Sequence, residues 1–166
     1  MTFGIPTDLF LQIHVLLSLI GIVSGLVVLY GLLSGQAFGA FTALFLLTTI
    51  LTSLTGFPLP PFGFDPPRAV GLISLVLLAL AAAAFYVFHL GRAWRWIYIV
   101  TAVAALYLNS FVGVIQAFQK LSFLQPLAPT QSEPPFIVAQ VAVLALYIIL
   151  GIVAVKRFHP GAEVSE

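Results

Sequence analysis

From Leu9 to Phe57 the chain runs 49 residues without an Asp, Glu, Lys or Arg. A helix of that length would reach about 74 Å at 1.5 Å per residue, more than twice the roughly 30 Å of a bilayer's hydrocarbon core. The run therefore reads as two crossings, parted at the short Ser34-Gly35-Gln36 break. Three further uncharged runs follow, and together they predict five transmembrane helices at about 9–33, 38–57, 69–90, 94–118 and 136–155. A charge at the centre of such a helix costs roughly 2.5–3.5 kcal/mol to insert, which explains why every charge sits at a helix end, in a loop or in the tail.

Composition excludes the main alternatives. With 61% hydrophobic and 7% charged residues, the chain has too little charge to clothe a soluble domain, which ordinarily carries about 25%. The absence of cysteine removes disulfide scaffolds and redox thiols. A net charge of +1 gives no electrostatic footing for a nucleic-acid partner. The expected fold class is all-α, a polytopic membrane helix bundle forming a single domain over 1–158, with a flexible tail at 159–166. The first ten residues hold no Lys or Arg for a signal-peptide n-region, so the first span is expected to remain in the mature protein. No lipidation motif is present, since Cys is absent and residue 2 is Thr.

Basic residues set orientation. Arg92, Arg95, Lys156 and Arg157 fall on one side, and Arg68 and Lys120 on the other with Asp8, Asp65 and Glu133. Four against two predicts an outside N-terminus and a cytoplasmic C-terminus. Trp94, Trp96 and Tyr98 beside Arg92 and Arg95 fit an interfacial aromatic belt.

Within the spans, small and polar residues recur on single helix faces. His14, Ser18, Gly21 and Gly25 follow steps of four, three and four; Thr48, Thr52 and Thr55 do the same, with Thr49, Ser53 and Gly56 adjacent. Thr101, Ala105, Asn109, Gly113 and Ala117 keep a strict four-residue step, and Gln140, Tyr147 and Gly151 share one side of the last span. Lipid disfavours such faces, so they are expected to meet inside the bundle. The plain reading is helix packing, in which small-xxx-small faces and a GxxxG pair at Gly21 and Gly25 are commonplace. For the polar residues depth adds a second reading. His14, Thr52, Thr55, Asn109, Gln116 and Gln140 are predicted to lie in the outer half and to line a ligand-binding pocket. His14, roughly 8 Å deep at 1.5 Å per residue, is the intramembrane ionisable group that makes this a functional-site hypothesis. Two Pro-rich loops would roof the pocket, 58–68 and 119–135, carrying Asp65, Arg68, Lys120 and Glu133 as cap residues or as ordinary surface ion pairs.

Specific chemistries find little support. There is no Gly-x-Ser-x-Gly elbow, His-Glu-x-x-His helix or P-loop, no carboxylate inside a span, and both lysines lie at helix ends. His14 near the outer end, His89 near the inner end and His159 in the tail cannot share one haem iron across a bilayer. No catalytic residue, metal site or cofactor is predicted, and the reading leans away from an enzyme. At Tyr107–Gln119 (YLNSFVGVIQAFQ) and Leu127–Phe136 (LAPTQSEPPF) the chain resembles small multi-pass bacterial inner-membrane proteins described as hypothetical. The resemblance implies a bacterial cytoplasmic membrane and no particular activity, and directs attention to Asn109, Gln116, Gln131 and Glu133. The leading expectation is a non-enzymatic channel, carrier or ligand-binding subunit, with lipid bilayer, a second copy of the chain or a membrane protein as partners. An accessory subunit that docks a partner is the alternative, and a haem- or quinone-binding redox subunit a third.

Overall fold

The computed structural model describes residues 1–60, 62–63 and 65–160. Its five long helices are α1 (Thr7–Leu33), α2 (Gly39–Gly56), α3 (Pro66–Ala82), α4 (Trp94–Lys120) and α5 (Pro134–Arg157). All five, α3 counted with the π turn that extends it to Val87, are long and apolar enough to cross a membrane. The expected tail begins with His159 and Pro160, which carry no helix; 161–166 lie outside the described residues.

Local chemistry sets the boundaries. Asp65 caps α3 by accepting a hydrogen bond from the Arg68 backbone N–H at 3.1 Å. Pro66 and Pro67 fill the first turn, where a missing N–H costs nothing, so the helix starts before the uncharged run does. A second Pro-Pro pair opens α5, and the Glu133 carboxylate before it accepts from Thr130 and Ser132 backbone N–H groups at 3.2 and 3.1 Å. At its far end α3 loosens into a π turn, Ala83–Val87, in which Phe88 N–H reaches the Ala83 carbonyl at 3.0 Å. His89, Leu90 and Arg92 then take left-handed backbone conformations that carry the chain into α4.

Helices α1, α2, α3 and α4 form a closed ring, each packed on the next and α4 back on α1, while α5 lies outside against α4 and α1. The core is centred on α4: Tyr98, Ile99, Ala105 and Leu106 are buried against Leu32 of α1, Phe45 of α2 and Leu78 of α3. By contrast Tyr147 and Ala154 are the buried residues of α5, with Val143, Leu150 and Val155 packed partly on the core, while most of its other Ile, Val and Leu side chains face outward, as suits a helix solvated by lipid tails. Successive helices run antiparallel. One end of the bundle, the proline face, gathers the start of α1, the two Pro-rich loops and Lys120; the other, the arginine face, gathers the α1–α2 turn, Arg92, Arg95 and the end of α5.

At the arginine face Arg95 of α4 clamps the end of α5. Its Nη1 donates to the carbonyls of Val155 and Phe158 at 2.8 and 2.7 Å. Those are carbonyls that a helix end leaves without intrahelical partners. Phe158 is fully buried beside Tyr98, and Trp94 stacks flat on Phe88 with ring centroids 3.8 Å apart.

Candidate functional site: a polar seam between three helices

A threonine in an apolar helix must give its hydroxyl hydrogen to something, and the nearest acceptor is the carbonyl one turn back. Thr48, Thr52 and Thr55 of α2 do this, donating to Leu44, Thr48 and Leu51 at 2.7, 2.8 and 2.7 Å. With its hydrogen committed, Thr55 Oγ1 can only accept from His14 Nδ1, 2.8 Å away on α1. The bond therefore selects the Nδ1–H tautomer of His14 and turns Nε2 into an acceptor, for which the described residues supply no donor.

One turn deeper, Ser18 Oγ donates to Asn109 Oδ1 of α4 at 2.8 Å, and Asn109 Nδ2 returns a bond to the Ser18 carbonyl at 3.3 Å. Deeper again lies Gly21. A Cβ on it would stand 2.8 Å from Thr49 Oγ1, 3.1 Å from Asn109 Nδ2 and 3.3 Å from Thr48 Oγ1, so the absent side chain is what lets three polar groups converge. Thr49 departs from its neighbours: it is buried, and its hydroxyl has no hydrogen-bond partner among the described residues. From His14 to Gly21 the seam extends about 10 Å along α1. Below it, Gly25 packs against Phe45 and Leu106, and the space they bound with Ala102 is too small to admit a water. The polarity ends there in an apolar plug.

The structure thus brings together His14, Thr55 and Asn109 of the sequence candidates, with Thr52 half-buried on the α2 side. Gln116 is half-buried and makes no hydrogen bond with the described residues. Gln140 belongs to a different contact. Its Nε2 donates to the Phe111 carbonyl of α4 at 3.2 Å while Oε1 is buried without a partner; nearby, Tyr147 of α5 bonds Ser110 at 2.8 Å. Helix α4 therefore serves two polar contacts, Asn109 toward α1, Ser110 and Phe111 toward α5. Ser18 and Thr49, both essential to the seam, stood outside the candidate set although Ser18 lies four residues from His14 on the same stripe.

The cap candidates mostly organise their own loops. Arg68 Nη1 pairs with Asp65 at 2.7 Å, Nε donates to the Phe57 carbonyl at 3.3 Å, and Nη2 to the Leu59 carbonyl. Desolvation raises the Asp65 carboxyl, but hydrogen bonds from the Arg68 backbone and guanidinium, and its charge, outweigh it and hold the group below its ordinary value. Glu133 behaves alike: desolvation is outweighed by hydrogen bonds from Thr130, at 2.8 Å from its hydroxyl, and from backbone N–H groups. Gln131 ties the second loop to α4 through the Ile115 carbonyl at 3.2 Å. Lys120 is exposed and free of partners among the described residues.

No cluster of three His, Cys, Asp or Glu that could hold a metal occurs among the described residues. Compared with protein-family models, curated proteins and solved structures, the chain has no significant match.

Proposed function

We propose that this chain is a non-enzymatic membrane protein whose α1–α2–α4 seam binds a small polar species or ion entering from the proline face, as a channel, carrier or ligand-binding subunit. The observation that carries the reading is the buried, unpartnered Thr49 hydroxyl at the blind end of the seam. A hydroxyl left without a partner in the interior costs roughly 1–3 kcal/mol, and a guest at this depth would recover it. His14 Nε2 supplies an acceptor at the mouth. The seam is closed in this conformation, so passage would require α1 to part from α2 or α4. Liposomes holding the purified chain test the proposal with K⁺, H⁺ and glycerol as probes. Flux of one of them above empty liposomes, lowered by His14→Ala, Asn109→Ala and Thr49→Val, is expected; flux equal to empty liposomes for all three probes would sink the channel and carrier readings.

A second reading is favoured by the pairwise closure of His14 on Thr55 and Ser18 on Asn109. On that reading the seam is interhelical glue, and the chain is an accessory subunit or self-associates through small-residue faces. His14→Ala and Asn109→Ala would then lower stability with no flux to lose, while Thr49→Val, which removes an unpartnered hydroxyl, would leave stability unchanged or raise it.

The resemblance at Tyr107–Gln119 and Leu127–Phe136 supports placement in a bacterial inner membrane, and charge supports a cytoplasmic arginine face. Arg68 is neutralised by Asp65, whereas Arg92, Arg95, Lys156 and Arg157 face no Asp or Glu among the described residues. Because the chain has no cysteine, Lys120→Cys and His159→Cys give single-thiol probes without background. In intact cells an impermeant maleimide should label the first and spare the second; the reverse pattern would invert the topology.

A further inference from the structure

Between the α1–α2 turn and the end of α5, the arginine face carries a depression of about 440 Å³ lined by Ser34, Gly35, Gln36, Ala37, Phe38 and Pro160. Arg157 does not line it but adjoins it: its carbonyl lies 3.5 Å from where a Gly35 Cβ would stand, and its Nη1 is 3.5 Å from the carbonyl of Leu33, the residue before Ser34. That single long contact leaves the rest of the guanidinium without a partner among the described residues. Lys156 and Arg92 are exposed and equally unengaged, and Arg95 is spent on the α5 carbonyls. The acidic residues Asp8, Asp65 and Glu133 belong to the proline face, while Glu163 and Glu166 lie outside the described residues.

We propose that this depression is a site for a phosphate group, with Arg157 as its cationic anchor, and that Gln36 and Ser34 supply neutral hydrogen bonds at its wall. A guanidinium with unused N–H donors matches phosphate oxygens in geometry and charge. The position suits a phosphodiester, since basic pockets at helix ends on one side of a membrane are where anionic headgroups settle. An aromatic rim of Trp94 and Trp96 on the same face fits a site at headgroup level. The reading is independent of the α1–α2–α4 seam and holds for either orientation of the bundle.

The test is native mass spectrometry of the full chain, delipidated in neutral detergent and titrated with phosphatidylglycerol, phosphatidylcholine or inorganic phosphate. Phosphatidylglycerol adducts should form at concentrations where phosphatidylcholine adducts do not. Arg157→Gln should weaken them roughly fivefold, the worth of one basic residue near a charged surface, and Ala37→Trp, which fills the depression, should weaken them as much. Arg92→Gln on the same face but away from the depression should leave them unchanged. Competition by inorganic phosphate would assign a free anion as occupant, and its failure to compete a lipid headgroup. Equal binding of the two lipids, or equal losses in Arg157→Gln and Arg92→Gln, would overturn the site in favour of diffuse attraction. Thermal unfolding of each variant separates lost binding from lost folding.

Discussion

Ser18 and Asn109, 91 residues apart in the chain, exchange two hydrogen bonds between α1 and α4, hydroxyl to amide oxygen at 2.8 Å and amide nitrogen to backbone carbonyl at 3.3 Å. The pair fixes the rotation of both helices, because only one face of each can present it. Interhelical polar pairs in membranes average about 0.6 kcal/mol and reach about 1.7. Asn109→Ala should therefore destabilise the bundle by roughly 1 kcal/mol, and Ser18→Ala added to it should cost little more. Unfolding of the two single variants and the double variant in bicelles measures the coupling; simple additivity would deny the pair.

Two glycines make opposite predictions. At Gly25 a Cβ would stand 2.6 Å from Leu106 Cδ1 and 2.9 Å from Phe45 Cδ2, in the plug beneath the seam. At Gly151 on α5 the nearest atom would be Val103 Cγ1 at 3.5 Å, an ordinary contact. Gly25→Ala should cost roughly 1–3 kcal/mol by overpacking. Gly151→Ala should be neutral or stabilising by up to about 1 kcal/mol, through helix propensity. Thermal unfolding in one detergent ranks the two.

Arg95 should matter to α5 more than to the surface. Hydrogen bonds involving a charged partner contribute roughly 1.5–3 kcal/mol, so Arg95→Ala should loosen the last turn of α5 and expose Phe158. Limited proteolysis would then remove the C-terminal residues faster than from the parent chain. Arg95→Lys should restore part of the protection, since one ammonium can reach one of the two carbonyls.

The Asp65 carboxyl titrates below its ordinary value, so its ionised form is the one favoured by folding. The stabilisation it brings is fully present above the ordinary aspartate pKa and fades as pH falls through the lowered folded value. Melting temperature should decline on acidification below the normal aspartate range. Asp65→Asn should flatten that part of the decline by lowering the melting temperature at neutral pH, so that parent and variant converge at acid pH. An unchanged acid limb in the variant would show that other groups dominate.

The spans were legible because charge is so costly in hydrocarbon that its absence marks each crossing, and the small residues of α1 marked a buried face. What a stripe cannot tell is which helix it will meet. Gln140 and Asn109 look equivalent on a helical wheel, yet one bonds the α4 backbone from α5 and the other reaches α1, because α5 packs outside the ring. Thr49 was equally hard to single out: its sequence context matches that of Thr48 and Gly21 approaches both, yet Thr48 bonds the Leu44 carbonyl while the Thr49 hydroxyl is left without a partner among the described residues. Arg95 stood in the sequence as one of four basic residues beside an aromatic belt, and nothing local reveals that α5 ends beside it.

The π turn at Ala83–Val87 holds one more residue than an α-helical turn would. Across it the side chains drift from where straight counting along Ser74 and Leu78 would put them, by about 100° at its far end, where the chain leaves the helix at Phe88. The run of four alanines, Ala81–Ala84, leads into the turn, so the widening begins where the side chains are small, before Phe85 and Tyr86. A relative lacking a single residue in this run would keep the packed face of α3 and end it in a plain α-helical turn, so a one-residue gap there marks a straightened helix end rather than a different fold.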